Sequence, residues 1–160
     1  MICLDNKPYW VCPSGEQLSD QDFSNRAKDL ISRGSSVYVG TDSMVRGKCC
    51  IFATVIAFHN NAINVATYYY KKFKITNGDY VNLQKKITEE VNLSVQAAQK
   101  ISEISPMTSV EVHVDIGSNK NSKTRIMMPA VTGWVSGMGF DLKIKPYSWA
   151  SSSIADNHTK

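Results

Sequence analysis

The chain has 160 residues, 42% of them hydrophobic, and a formal net charge of +4 at pH 7. At this length folding buries roughly 70% of the surface of the unfolded chain, so one domain can form a full core without disulfides or metal staples. No apolar run approaches the ~20 residues that span a bilayer, and Asp5 and Lys7 stand where a signal peptide would be apolar. We therefore expect a soluble, cytoplasmic protein with no membrane partner, whose mild positive charge permits a polyanionic partner without requiring one.

The four cysteines, Cys3, Cys12, Cys49 and Cys50, contain no CxxC pair and have no histidine at zinc-finger spacing. This pattern indicates reduced thiols rather than a structural zinc site.

The hydrophobic periodicity predicts a mixed α/β order of elements. In chain order these are an irregular lead-in over 1–17, a helix over 19–34, strands over 36–42, 48–59 and 62–75, a helix over 79–104, a strand over 110–116, a helix over 122–137, a strand over 140–145 and a helix over 151–159. The first three strands form an antiparallel meander, and the last two run parallel to the first. We expect one domain over 1–160, with a central mixed five-stranded sheet flanked by helices.

Two of the predicted strands end on an aspartate. The stretch "VYVGTDSM" reaches Asp42 after an apolar run, and "VEVHVDIG" reaches Asp115 just before Gly117. Ligands of open α/β sheets bind at the carboxyl ends of the strands, so the two acids would face one crevice if their strands are neighbours. The alternative is that each aspartate only caps the turn after its strand.

Two further acids lie on predicted helices. At about 100° per residue, Glu90 falls about 20° from Leu83 and borders the buried stripe of its helix, whereas Glu89 points to solvent. A buried carboxylate needs a partner or a metal; a flanking position paired with Lys86 is the alternative. Asp156 lies on a predicted short helix in the final stretch "SSSIADNHTK" and is a further candidate site residue. The alternative is that this stretch is a frayed C-terminal tail.

Four acids in one crevice favour Mg²⁺ or Mn²⁺ over zinc, since hard cations prefer carboxylate oxygens. They could hold two ions about 3.5–4 Å apart, the arrangement that clamps the attacking and leaving oxygens in phosphodiester hydrolysis. Without metal the carboxylates would repel one another and their pKa values would rise.

Four strings carry a resemblance to a known family: "VGTDS", "HVDIGSNKNSKT", "GWVSGMGF" and "IKPYSWASSSIADNHTK". They are similar to small bacterial and phage ribonuclease H-like proteins of the YkuK type, and the resemblance covers most of the chain from Ser19 onward. It implies a ribonuclease H-like fold in which Asp42, Glu90, Asp115 and Asp156 are catalytic metal ligands, with Asp79, Asn82 or Gln84 as alternatives to the glutamate. His158 or Lys160 would be a basic accessory near the last acid.

The resemblance implies a bacterial or phage-encoded nuclease that uses two Mg²⁺ or Mn²⁺ ions to cleave RNA, RNA/DNA hybrid or structured DNA. One alternative is a relative without turnover that binds nucleic acid or a host protein. Another is a phosphatase or nucleotide hydrolase acting on a small substrate.

Basic residues suggest where a nucleic acid would lie. The loop "GSNKNSKTR" carries Lys120, Lys123 and Arg125 and leads into a predicted helix, a natural phosphate seat, although a solvated turn explains it equally well. Lys160 is a further candidate for substrate binding. A second basic cluster, Lys71, Lys72 and Lys74, follows three tyrosines. Basic and aromatic residues together are typical of single-strand binding, but a tyrosine run on a strand is more often core packing on one face.

Overall fold

The computed structural model describes residues 9–76 and 78–160. Its strands are β1 (Trp10–Val11), β2 (Gln17–Leu18), β3 (Ser36–Arg46), β4 (Cys49–Asn60), β5 (Val65–Thr76), β6 (Val110–His113) and β7 (Asp141–Lys143). Its helices are α1 (Asp20–Ser32), α2 (Leu83–Ile104), α3 (Met128–Gly137) and α4 (Asp156–Thr159), with a 3-10 turn at Arg125–Met127 and a π-helical turn at Ala150–Ala155. None of the described helices is long and apolar enough to cross a membrane.

The strands form one mixed sheet in the order β2-β1-β5-β4-β3-β6-β7. The predicted meander of β3, β4 and β5 is present, and β6 and β7 continue the sheet in parallel, as expected. The predicted count of five strands is wrong, because β1 and β2 add two strands at the β5 edge. They lie in the lead-in predicted to be irregular, and two-residue strands are too short to display a period of two. Residues 1–8 of that lead-in, with Cys3, lie outside the described residues.

Several predicted boundaries move. β3 does not end at Asp42 but continues to Arg46, because β4 pairs with it along the whole strand. β6 instead ends early at His113, so that Asp115 lies in the connection that follows it. The predicted helix over 122–137 becomes α helix only at α3, which places Pro129 in its first turn, where a missing N–H costs nothing.

Helices α1, α2 and α3 pack on one face of the sheet and enclose the main core, which includes Phe23, Val91 and Val135. The opposite face is crossed by the C-terminal segment (150–159), whose Ala155 packs against Val55 of β4. Gly40 of β3 lies directly beneath this segment: an added Cβ would be 2.5 Å from the backbone nitrogen of Ser151. The segment and β3 are therefore in backbone contact.

Candidate active site

Asp42 lies in the middle of β3 on the face that the C-terminal segment crosses, and its carboxyl is hydrogen-bonded to that of Asp156. Burial, followed by this hydrogen bond and the charges of Asp156 and Asp115, raises the pKa of Asp42 to about 7. The hydrogen bond from Lys160, whose Nζ is 3.1 Å from the Asp156 carboxylate, lowers the pKa of Asp156. Burial and the neighbouring carboxylates thus favour the protonated form of Asp42, whereas Lys160 favours the ionised form of Asp156.

Asp115 follows β6, the parallel neighbour of β3. Its Oδ1 accepts a hydrogen bond of 3.0 Å from Ser152 Oγ of the C-terminal segment and lies 3.3 Å from Lys145 Nζ. Its charge contributes to the raised pKa of Asp42, which places the two acids within electrostatic range of each other. The structure thus brings together the two strand-associated aspartates that the sequence paired.

Glu90 approaches from the opposite face of the sheet. Its side chain is only 3% exposed, and one carboxyl oxygen accepts a hydrogen bond from Ser43, the residue after Asp42. Burial, with the charges of Asp42 and Asp115 as further contributions, raises the pKa of Glu90 to about 8, against the attraction of Lys86. The helical phase therefore predicted its burial correctly, and the candidate acids lie on both faces of β3.

A row of hydroxyl groups continues from Ser43 beneath β3. Thr41 Oγ1 is 2.9 Å from Thr54 Oγ1 and accepts from Ser94 Oγ at 2.8 Å, all three residues being buried. A fully hydrogen-bonded row of this kind holds the strand in a fixed position over α2.

His158 packs against β5. Its ring stacks on Tyr70 with 3.7 Å between ring centroids, and its Nε2 is 3.1 Å from Tyr68 Oη. Tyr69, pointing the other way, is buried in the main core, as the packing interpretation of the tyrosines expected. His158 thus anchors the C-terminal segment to the sheet two residues after Asp156.

The residues predicted to contact the substrate differ in their surroundings. Lys120 and Lys123 are exposed in the loop after Asp115, and the exposed Arg125 begins the 3-10 turn that follows, whereas Lys160 is paired with Asp156.

Comparison of the sequence with known proteins identifies a family. The model of the family described as Ribonuclease H-like matches residues 21–160. The chain belongs to the ribonuclease H-like family. It is also 29% identical over 166 residues to YkuK of Bacillus subtilis strain 168, a protein described as uncharacterised, with 92% of this chain and 94% of YkuK covered. The resemblance to the YkuK type is therefore confirmed. No solved structure matches the chain.

The acids of this ribonuclease H-like protein fit a divalent cation by the chemistry of their donors. They offer carboxylate oxygens, which Mg²⁺ and Mn²⁺ prefer, and Glu90 Oε2 is buried without a hydrogen-bond partner in the described part of the chain. The distances between the side chains fit a metal ion less well, because no described group of three or more acidic, histidine or cysteine side chains is close enough together to hold one. Lys145 and Lys160 pair with two of the acids instead.

Sequence reasoning missed the residue that ties the C-terminal segment to β6 of this ribonuclease H-like sheet. His113 is fully buried; its Nδ1 accepts a 3.0 Å hydrogen bond from the Ala150 N–H, and its Nε2 is 2.7 Å from a carboxyl oxygen of Glu111. The backbone donor requires an unprotonated Nδ1, and burial lowers the pKa of His113 accordingly. The sequence shows only a histidine between two valines on a strand, and this pattern does not indicate that Ala150 is its hydrogen-bond partner.

Proposed function

We propose that this ribonuclease H-like protein is a metal-dependent nuclease that hydrolyses phosphodiester bonds of RNA, RNA/DNA hybrid or structured DNA. The observation that carries the proposal is the contact between the carboxyl groups of Asp42 and Asp156, within electrostatic range of Asp115. Acids gathered in this way are costly for folding unless they serve a bound cation. Membership of the ribonuclease H-like family makes nucleic acid hydrolysis the activity to test first.

Asp42, Asp115, Asp156 and Glu90 would hold Mg²⁺ or Mn²⁺, as one or two ions. When bound, such an ion polarises a phosphoryl oxygen and lowers the pKa of a coordinated water. The protein's own contribution is position: the strand β3 fixes Asp42, and the hydroxyl of Ser43 orients Glu90. Loss of the proton from Asp42 is a condition for binding, because a carboxyl group ligates metal in its ionised form.

Basic side chains complete the proposed site. Lys145 and Lys160 neutralise Asp115 and Asp156, and become available to phosphate oxygens once a cation replaces them. Lys120 and Lys123 lie in the exposed loop beside Asp115, where they can contact the substrate backbone. His158, because of its tyrosine contacts, has the role of positioning Asp156 rather than of moving a proton. The free thiols of the described cysteines fit a reducing compartment, and we place the activity in the cytoplasm.

Cleavage assays test the proposal directly. Labelled single-stranded, duplex and hybrid substrates are incubated with Mg²⁺, Mn²⁺ or chelator, using wild type, Asp42→Asn, Asp115→Asn and, as a matched control, Glu89→Gln. We expect metal-dependent cleavage that falls by roughly 10²-fold or more in the two aspartate variants and persists in the control, since each aspartate would ligate the catalytic ion. Cleavage that survives both aspartate substitutions refutes the site.

A second candidate is a nucleic-acid or host-protein binder without turnover. The two lysine pairs favour it, because Lys145 and Lys160 lie 3.3 and 3.1 Å from the acids and leave Asp115 and Asp156 as structural ion pairs. Binding of nucleic acid without cleavage in any metal would support this candidate over the nuclease.

A further inference from the structure

Part of the sheet face that carries Asp42 extends beyond the contacts of the C-terminal segment. Cross-strand partners share a face, so Asp42, Ala53 and Lys72 form one row across β3, β4 and β5, and Met44, Ile51 and Lys74 form the next. The segment packs over the row that contains Gly40 and Val55, on the other side of Asp42 from the row of Met44. We call the uncovered residues the open platform: Met44, Arg46, Ile51, Lys72 and Lys74.

The open platform is basic. Arg46 and Lys72 are exposed and Lys74 is half-buried, and none of its five side chains is acidic. The adjacent Lys71 points to the opposite face, where its Nζ is 3.3 Å from Asp20 and lies over the ring of Trp10. The fold therefore separates the lysine cluster of the sequence into a structural lysine and two lysines on the platform.

A cavity and two partly accessible apolar side chains adjoin the cations of the platform. A cavity of about 440 Å³ lies between the β1–β2 turn, with Gly15 and Gln17, and the side chains of Ile51, Lys72 and Lys74. This volume is that of a small-ligand pocket rather than of a duplex-wide groove. Ile51 and Met44 are half-buried, so part of each apolar side chain remains accessible beside the cations.

We propose that the open platform binds a single-stranded nucleic acid and leads its backbone to Asp42. This inference rests on the proposed function for the identity of the reacting site. Cations bind the phosphates, while apolar side chains contact unstacked bases, which a duplex keeps inside its helix. Lys72 lies two strands from Asp42, a spacing of roughly 10 Å, so one strand can touch both. Lys72 also lies near His158, since its charge helps to lower the pKa of that histidine.

Binding measurements in chelator test the platform apart from catalysis. Fluorescence anisotropy follows labelled oligo(U) and oligo(dT), and a duplex of equal length, with wild type, Lys72→Ala, Arg46→Ala and the control Lys28→Ala. Lys28 is an exposed lysine of α1, which packs on the opposite face of the sheet. We expect Lys72→Ala to weaken single-strand affinity about tenfold, as loss of a charge-assisted phosphate contact does, and Lys28→Ala to leave it unchanged. The slope of log K against log salt should fall by about 0.7 for the lost contact.

Three outcomes overturn the inference: equal affinities for Lys72→Ala and Lys28→Ala, tighter binding of the duplex than of the single strand, or no binding of any nucleic acid. Circular dichroism checks that each variant is folded, and Arg46→Ala provides an independent platform variant. Binding that depends on Lys72 in a protein that never cleaves would uphold the platform and refute the nuclease. Cleavage with unchanged single-strand binding in Lys72→Ala would do the reverse.

Discussion

Replacing Gly40 by alanine tests how closely the C-terminal segment is fitted to the sheet. The new Cβ would be 2.5 Å from Ser151 N and 2.8 Å from the Ala150 carbonyl carbon, whereas ordinary contact begins at 3.4 Å. The segment would therefore have to move by about 0.9 Å, the difference between 3.4 and 2.5 Å. Both neighbours are backbone atoms, so no side-chain rotation relieves the clash. Overpacking of this kind costs about 1–3 kcal/mol of unfolding free energy.

Activity should be affected more than stability, because Asp156 lies on the displaced segment. A misplacement of about 1 Å at a reacting site lowers the rate by roughly 10²-fold. Urea unfolding and metal-dependent cleavage are measured for wild type, Gly40→Ala and Gly133→Ala, a helical glycine of α3 with nothing within 4 Å of an added Cβ. An unfolding free energy within about 0.5 kcal/mol of wild type, with full activity, would refute the contact, since a surface substitution changes no more than that.

Two buried groups give opposite dependences of stability on pH. In chelator, unfolded Glu90 ionises above its ordinary pKa of 4.5 while the folded group keeps its proton up to a pKa of about 8, so stability is lost as pH rises through this window. Glu90→Gln should remove this dependence of the unfolding free energy on pH, up to about 1.4 kcal/mol per pH unit, and Glu89→Gln should retain it. The unfolding free energy is measured by urea titration at several pH values, and the same pH dependence in Glu90→Gln as in wild type would contradict the prediction. His113, whose pKa burial lowers, stays neutral when folded, so stability falls as pH drops below its ordinary pKa of 6.5. Thermal melting at pH 5 and 7 should show a smaller pH effect in His113→Gln than in wild type, and an equal effect would refute the neutral anchor.

The sequence located the acids better than it located the ends of the elements. An apolar run that reaches a carboxylate indicated Asp42, alternation along a strand indicated Asp115, and the phase of a helix indicated the burial of Glu90. Each of these signals is local. The carboxylate of Asp42 interrupts the apolar pattern and so predicts a strand end, yet the ladder with β4 continues past it. Local rules fail at such positions when a site replaces a core residue.

Contacts between distant residues had no such signal. His158 meets Tyr68 across 90 positions, and the Ala150 N–H finds His113 across 37. Neither distance produces a repeating pattern in one sequence, so the anchoring of the C-terminal segment became visible only in the fold.

The length of β3 has a consequence for how reliably the chain assembles this site. Asp42 and Ser43 are consecutive, so their side chains point to opposite layers, one toward Asp156 and the other toward Glu90. A slip of one residue between β3 and β4 would exchange the layers, moving the carboxylate toward α2 and the hydroxyl away from it. The ladder from Ser36 to Arg46 opposes such a slip along 11 residues, well beyond the few that hold the acids. The long ladder between β3 and β4 therefore favours the register that places Asp42 and Ser43 in their observed layers.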